Sequence, residues 1–345
     1  MNESKRLRTG ISTGTCAAAA AKAAAILLMG AELGTQVEVR LPSGKGVAVR
    51  VVQAGLENGQ ATALVRKDAG DDPDETHGLL IGARVEPAQG GISITGGKGV
   101  GRVTKPGLAI APGNPAINPV PLKMIKTNLA LITDLGLAVE IFVPDGEKIA
   151  AKTFNERLGI IGGISILGTS GIVRPFSLEA IKETISLHIN MVLESGYTRP
   201  VLVPGRIGCR TALDSGFSRE EIVEVSNEWK FAFEKCHEAG IMGLVIVGHP
   251  GKLLKFINKD FQTHSKKSGS AVPVLVKAIQ ECLGFDPPEL NTVEHGICLL
   301  SVEQRNELGR HLAEKVRQSV LPRLAPDCQV QVILNDLQGE VIGRA

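Results

Sequence analysis

Three stretches of the sequence set glycine and a cation directly after a short apolar run. Gly168-Thr169-Ser170-Gly171-Ile172-Val173-Arg174 follows "ISIL", and Gly205-Arg206-Ile207-Gly208-Cys209-Arg210 follows "VLVP". Gly248-His249-Pro250-Gly251-Lys252 follows "LVIV". Glycine lets backbone N–H groups approach a ligand, and Arg or Lys beside them completes an anion site. Apolar runs that alternate with helices are strands of a parallel sheet, whose ligands bind outside the carboxyl ends. The cations of these loops, Arg174, Arg206, Arg210 and Lys252, complete the expected anion sites, and Lys255 lies three residues beyond the last.

Nucleotide phosphate fits these loops poorly. A Walker loop ends in Gly-Lys-Ser/Thr, and here Leu253 follows Gly251-Lys252, so the hydroxyl for magnesium is missing. A dinucleotide loop needs GxGxxG, and Gly168 to Gly171 supplies only GxxG. "GGKGVGR" lies among strands without a strand-to-helix step. A carboxylate-rich ligand suits the cations at least as well. A nucleotide-dependent phosphotransfer enzyme stays as the alternative.

Two further stretches carry polar chemistry. "KDAGDDPDETHG" holds Asp68, Asp71, Asp72 and Asp74, and its spacing is wrong for an EF-hand. An acidic turn with Asx capping explains it about as well as a carboxylate cluster facing a cation or polar ring. "GKLLKFINKDFQTHS" sets His264 near Lys252 and Lys255. A lone histidine is more often a surface residue than a catalyst, so His264 is a candidate base or positioning group only. The six cysteines form no CxxC pair and the seven histidines no HxxxH or HExxH, so no protein-built metal site is expected.

The elements that must position these residues fall into two halves. Residues 37–103 read as short β-branched strands divided by Gly, Pro, Asn and Asp, which predicts antiparallel hairpins. Pro119 and Pro121 open a helix with Leu122, Ile125, Leu129 and Ile132 on one face, capped near Gly136. "CAAAAAKAAAILLMG" follows Lys5, Arg6 and Arg8 like a signal peptide, but Lys22 interrupts it and it is too short to span a bilayer. It predicts a buried helix over residues 13–29. Beyond residue 155 strands and helices alternate, with one helix starting at the N-cap Ser218. The expected fold is an α+β domain with a mainly antiparallel sheet over 1–155. An α/β domain with an open, mostly parallel sheet follows over 156–345, and the strands at 328–342 are assignable to either.

Composition excludes other classes. Lys plus Arg number 38 against 36 Asp plus Glu, so there is no basic field for nucleic acid. Aromatic residues are 3%, too few for a base-stacking platform. Scattered cysteines in apolar company suit a reducing cytoplasm. Forty glycines, about 12% against a usual 7%, gather in five clusters, which favours a ligand-lined cleft. The composition is compatible with a homo-oligomer.

In one order the chain carries "TGISTGTCAAAAAKAA", "KDAGDDPDETHG", "GGKGVGRVTKPGL", "GNPAINPVP" and "KTFNERLGIIGGISILGTSGIVRP". "VPGRIG" and "GHPGKLLKFINKDFQTHS" follow. These strings, from about residue 8 to 265, resemble the cobalt-precorrin-5B C1-methyltransferases, the CbiD family of oxygen-independent cobalamin synthesis. "GISTGT" departs slightly from the family's Y-T-T-G-T form. The resemblance implies methyl transfer from S-adenosylmethionine to C1 of a small-molecule corrinoid, with cobalt arriving inside that substrate. It implies that Gly168, Thr169, Ser170 and Gly171 take the donor's methionine or ribose part or else an acceptor carboxylate, and that Asp71, Asp72 or Asp74 faces the donor's sulfonium or amino group. It implies too that the clamps Arg174, Arg206, Arg210, Lys252 and Lys255 hold acetate and propionate arms. A non-catalytic corrinoid carrier is the other alternative.

Overall fold

The structure is a computed structural model that describes residues 7–345 except 154, 157 and 176. Lys5 and Arg6 of the basic N-terminus lie outside the described residues. Contacts divide the chain into Met1–Ser177 and Leu178–Ala345.

The first unit opens with β1 (Gly10–Ile11) and α1 (Thr13–Leu28). Next come β2 (Gln36–Arg40), β3 (Gly46–Glu57), β4 (Gln60–Arg66), β5 (Leu80–Pro87) and β6 (Ile92–Gly96). β7 (Gly99–Val100), β8 (Arg102–Val103), α2 (Pro119–Leu129), β9 (Leu137–Phe142) and α3 (Gly146–Ala150) follow. Three short strands close the unit: β10 (Ile160–Ile161), β11 (Gly163–Ile164) and β12 (Ile172–Val173).

One sheet runs β2-β3-β4-β5-β9-β6, antiparallel at each pairing except β6 with β9. Its strands alternate as a half-buried sheet must. Ala61, Ala63 and Val65 of β4 and Ile81, Ala83 and Val85 of β5 are wholly buried beneath α1. In α1, alanines 17–21 and 23–25 have no exposed surface. With no side chain beyond Cβ, the helix backbone lies close to the sheet. A larger residue there would overpack, at a cost of about 1–3 kcal/mol.

The segment expected to begin the parallel sheet belongs instead to this first unit. β12 pairs antiparallel with β1, β11 pairs parallel with β7, and β10 pairs antiparallel with β8. In "ISIL" only Ile164 is within a strand, and Ile166 makes a single bridge to Ile117. The division expected near residue 155 therefore falls after Ser177.

The second unit starts with α4 (Leu178–Glu194), β13 (Val201–Val203), α5 (Arg206–Asp214) and β14 (Ile222–Glu224). α6 (Trp229–Glu238), β15 (Gly243–Gly248), α7 (Pro250–Leu253) and α8 (Val272–Leu283) follow. α9 (Val293–Cys298), α10 (Val302–Val320), β16 (Gln329–Asn335) and β17 (Val341–Arg344) complete it. The sheet order is β14-β13-β15-β16-β17, parallel at the first three pairings and antiparallel at the last. Both C-terminal strands lie in this sheet. One sheet face packs with α4, α6, α8 and α10 around Trp229, Phe233 and Phe256; the other packs on Cys209 and Ala212 of α5. The chain is thus a mixed α/β protein with several sheets.

The helix expected from Ser218 is a strand with a cap in front of it. Ser218 and Glu221 form a capping box around a single 3-10 turn, and Ile222–Glu224 then pairs with β13. The β-branched residues there match a helical stripe by spacing, but the sheet edge offers them partners, and the helix begins only at Trp229.

Candidate active site

In the first unit the Gly168 loop is locked onto the start of α1. Ser12 N donates to Gly171 O at 3.0 Å, Thr15 Oγ1 to Gly171 O at 2.7 Å, and Gly14 N to Leu167 O at 2.9 Å. Ser12 Oγ caps Thr15 N at 3.1 Å. Gly168 has φ +137° and Gly171 φ +79°, and a Cβ at either would collide with Ser12 or Thr15. The first amides of α1 are therefore spent on the protein itself rather than offered to an anion. Ser170 closes its own turn through Ile172. Thr169 borders a cavity of ≈ 520 Å³ with Leu41, Val120 and Met124 as apolar wall and Arg40, Lys123 and Thr127 as polar groups.

The acidic loop folds inward onto cations. Arg8 holds Asp68 through both guanidinium nitrogens, and Arg8 N donates to Asp71 Oδ2 at 2.7 Å. Asp74 accepts from the buried Lys67 at 2.5 Å, from Thr76 N at 2.8 Å and from Thr76 Oγ1 at 2.6 Å. Burial pushes the Asp74 carboxyl up, but these donors and the Lys67 charge outweigh it and hold it below its ordinary value. Asp71 is exposed and Asp72 half-buried.

In the second unit the chain leaves β13 toward β14 on one side and β15 toward β16 on the other. The strand order reverses between β13 and β15, where open α/β sheets hold their ligands. Lys252, in α7 directly after β15, donates to Asn227 Oδ1 at 3.0 Å, beyond the end of β14. Burial and the neighbouring Lys255 both lower the Lys252 pKa. Lys255 is buried and donates to Thr263 O at 3.2 Å and Ser268 Oγ at 2.8 Å. Neither ammonium meets a carboxylate among the described residues. His249 caps α7, its Nδ1 accepting from Gly251 N at 3.0 Å, so the ring proton is on Nε2, 2.8 Å from Glu294 Oε2.

Other expected residues have plainer surroundings. Arg206 is the first residue of α5, and Arg210 donates to Gln338 O. Arg174 is exposed, next to β12 in the first unit. His264 is exposed, and its Nδ1 accepts from Lys266 N at 3.1 Å within a turn. Asn227, Glu294, Arg40 and Lys123 escaped sequence reasoning. His249 stood in a quoted motif at a strand's carboxyl end, which is the signal that could have marked it. Among the described residues no group of three or more His, Cys, Asp or Glu is gathered for a metal, and no helix is long and apolar enough to cross a membrane.

The family model described as CbiD matches residues 1–175, and one described as CbiD, C-terminal domain, matches residues 262–345. The cobalt-precorrin-5B C(1)-methyltransferase of Syntrophotalea carbinolica is 43% identical over 338 residues, 98% of this chain and 97% of that protein. The protein of the same name from Thermoanaerobacter sp. is 38% identical, covering 100% of this chain and 97% of that one. A crystal structure of the cobalamin biosynthesis protein CbiD from Archaeoglobus fulgidus is 31% identical, covering 76% of this chain and 83% of that one, with a TM-score of 0.41.

Proposed function

This chain belongs to the CbiD family, and from that membership we propose that it methylates C1 of cobalt-precorrin-5B with S-adenosylmethionine, giving cobalt-precorrin-6A. The observation that carries the reading is 43% identity across 98% of the chain to a protein of that name.

The donor brings an electrophilic methyl group on a sulfonium, and the acceptor ring carbon brings the electron pair. The C–S bond breaks as the C–C bond forms, and S-adenosylhomocysteine leaves. No protein nucleophile enters this balance. The chain must align the reacting atoms at about 3–3.5 Å and exclude water while the sulfonium charge disperses.

The cavity bordered by Thr169 fits the donor. A mostly apolar recess with a few polar groups suits a nucleoside joined to an amino acid. Arg40 or Lys123 would take the donor carboxylate there, and Gly168, Ser170 and Gly171 hold Thr169 in place. In the acidic loop Asp74 is committed to Lys67. The exposed Asp71, which accepts from Arg8 N through one oxygen, is the carboxylate for the donor's ammonium, with Asp72 beside it. Arg206 and Lys252 of the second unit, and separately Arg174 of the first, are each a clamp for an acid arm of the acceptor. Lys255 and Arg210 support them while holding Ser268 and Gln338. His264 serves a turn, and the reaction assigns it no proton.

Anaerobic incubation with both substrates tests the reading. The corrinoid should gain the mass of one methyl group while S-adenosylhomocysteine accumulates. A protein that binds the corrinoid but leaves its mass unchanged would be a carrier instead.

A further inference from the structure

Arg50 and Arg66 stand opposite one another on neighbouring strands. Val51 pairs with Val65 across β3 and β4, and both valines face the α1 side. One residue further along each strand, Arg50 and Arg66 lie side by side on the other face, and both are exposed. Like charges directly opposed in an antiparallel pair destabilise it. Neither guanidinium is paired with a carboxylate among the described residues, and Arg66 Nη1 donates only to Gly78 O, at 2.9 Å.

The two arginines line a recess of ≈ 580 Å³ together with Arg8, Asp68 and His77. Asp68 is the only carboxylate in that lining, and it is held by Arg8. The rim is fixed from several sides. Ile11 N donates to Asp68 O at 2.7 Å, Gly78 N to Lys67 O at 2.8 Å, and Ala69 N to His77 Nδ1 at 3.1 Å. With Nδ1 accepting, a neutral His77 carries its proton on Nε2, so it adds a donor to the recess. The surplus positive charge of the recess therefore comes from Arg50 and Arg66 on the strands, since Arg8 is matched by Asp68 and Lys67 by Asp74. A guanidinium fork matches a carboxylate bidentately, so two adjacent forks match two carboxylates.

We propose that the Arg50–Arg66 recess binds two neighbouring carboxylate arms of the corrinoid acceptor. This rests on the methyltransferase reading for the identity of the ligand. Arg50→Gln and Arg66→Gln should each raise KM for cobalt-precorrin-5B by about tenfold to a hundredfold, the value of a lost charged hydrogen bond. S-adenosylhomocysteine affinity, measured by calorimetry, should change less than twofold. Because each change relieves a like-charge contact, Tm should hold or rise, so a misfolded variant is recognised at once. Binding of cobyrinic acid, with free carboxylates, and of its fully amidated counterpart separates this proposal from the enzymatic one. Wild type should prefer the acid form, and the double variant should lose that preference, whether or not turnover is seen. Equal binding of both forms by wild type, or an unchanged KM in two folded variants, would overturn the recess as a carboxylate site. A larger effect on S-adenosylhomocysteine would reassign it to the donor.

Discussion

Lys67 is 1% exposed, and its ammonium lies 2.5 Å from the Asp74 carboxylate. A buried cation needs a partner, and Asp74 in turn organises the acidic loop through Thr76. Asp74→Asn leaves that cation uncompensated and should cost about 3–5 kcal/mol, a fall in Tm on the order of 10 °C. Lys67→Met combined with Asp74→Leu should be less destabilised than Asp74→Asn. The folded Asp74 pKa is depressed, so its stabilisation is complete above the unfolded value of about 4. It is lost as pH falls through the lower folded value. A denaturant series from pH 7 downward should show this loss in wild type and not in the double variant. Equal stability of Asp74→Asn and wild type at pH 7 would contradict the account.

Gly168→Ala sets a Cβ against Ser12, and Gly171→Ala sets one against Thr15, each at positive φ. Gly162 has φ +76° but open space around it. Strain alone costs roughly 1 kcal/mol or somewhat more, so Gly162→Ala should be the mildest of the three in urea unfolding. Gly168→Ala should also weaken S-adenosylhomocysteine, because it displaces Thr169.

His249 performs two tasks that substitutions can separate. His249→Asn keeps an acceptor for Gly251 N but gives up the contact with Glu294, whereas His249→Ala loses both. Loss of the cap should cost about 1 kcal/mol. A double-mutant cycle of His249→Ala and Glu294→Ala should return a coupling of about 0.5–3 kcal/mol. If His249 positions Lys252, His249→Ala raises the acceptor KM, and His249→Asn restores most of it.

Lys252 is expected to bind an acid arm only while charged. Burial and Lys255 lower its pKa, so the folded state releases this proton at lower pH than the unfolded chain does. Between the two values stability rises with pH, while affinity for the corrinoid falls as pH passes the folded value. Lys252→Arg should shift that fall to higher pH, and Lys252→Met should remove it while weakening binding throughout. A pH profile of acceptor affinity reads both.

Much of this was legible from periodicity. The helix expected over 13–29 is Thr13–Leu28, and the strands of the first sheet follow their alternation. Local signals misled where tertiary partners decide. Ser218 and Glu221 are a real cap, but the β-branched residues after them join a sheet edge that spacing does not reveal. "ISIL" looks like a strand before a crevice loop, yet its loop closes on Ser12 and Thr15 more than 150 residues away. Gly136 looked like a helix cap, though α2 ends at Leu129. The charge of the acidic loop was legible, but its neutralisation by Arg8 and Lys67 was not. The Arg50–Arg66 pair became visible only with strand register, and Glu294 only with the fold that brings it to His249.

Carbon-13-labelled S-adenosylmethionine and cobalt-precorrin-5B, incubated anaerobically with the protein and followed by NMR of the corrinoid, test the central claim most directly. One labelled methyl should appear at C1 for each S-adenosylhomocysteine formed. No label in the ring, or label at another carbon, would contradict it.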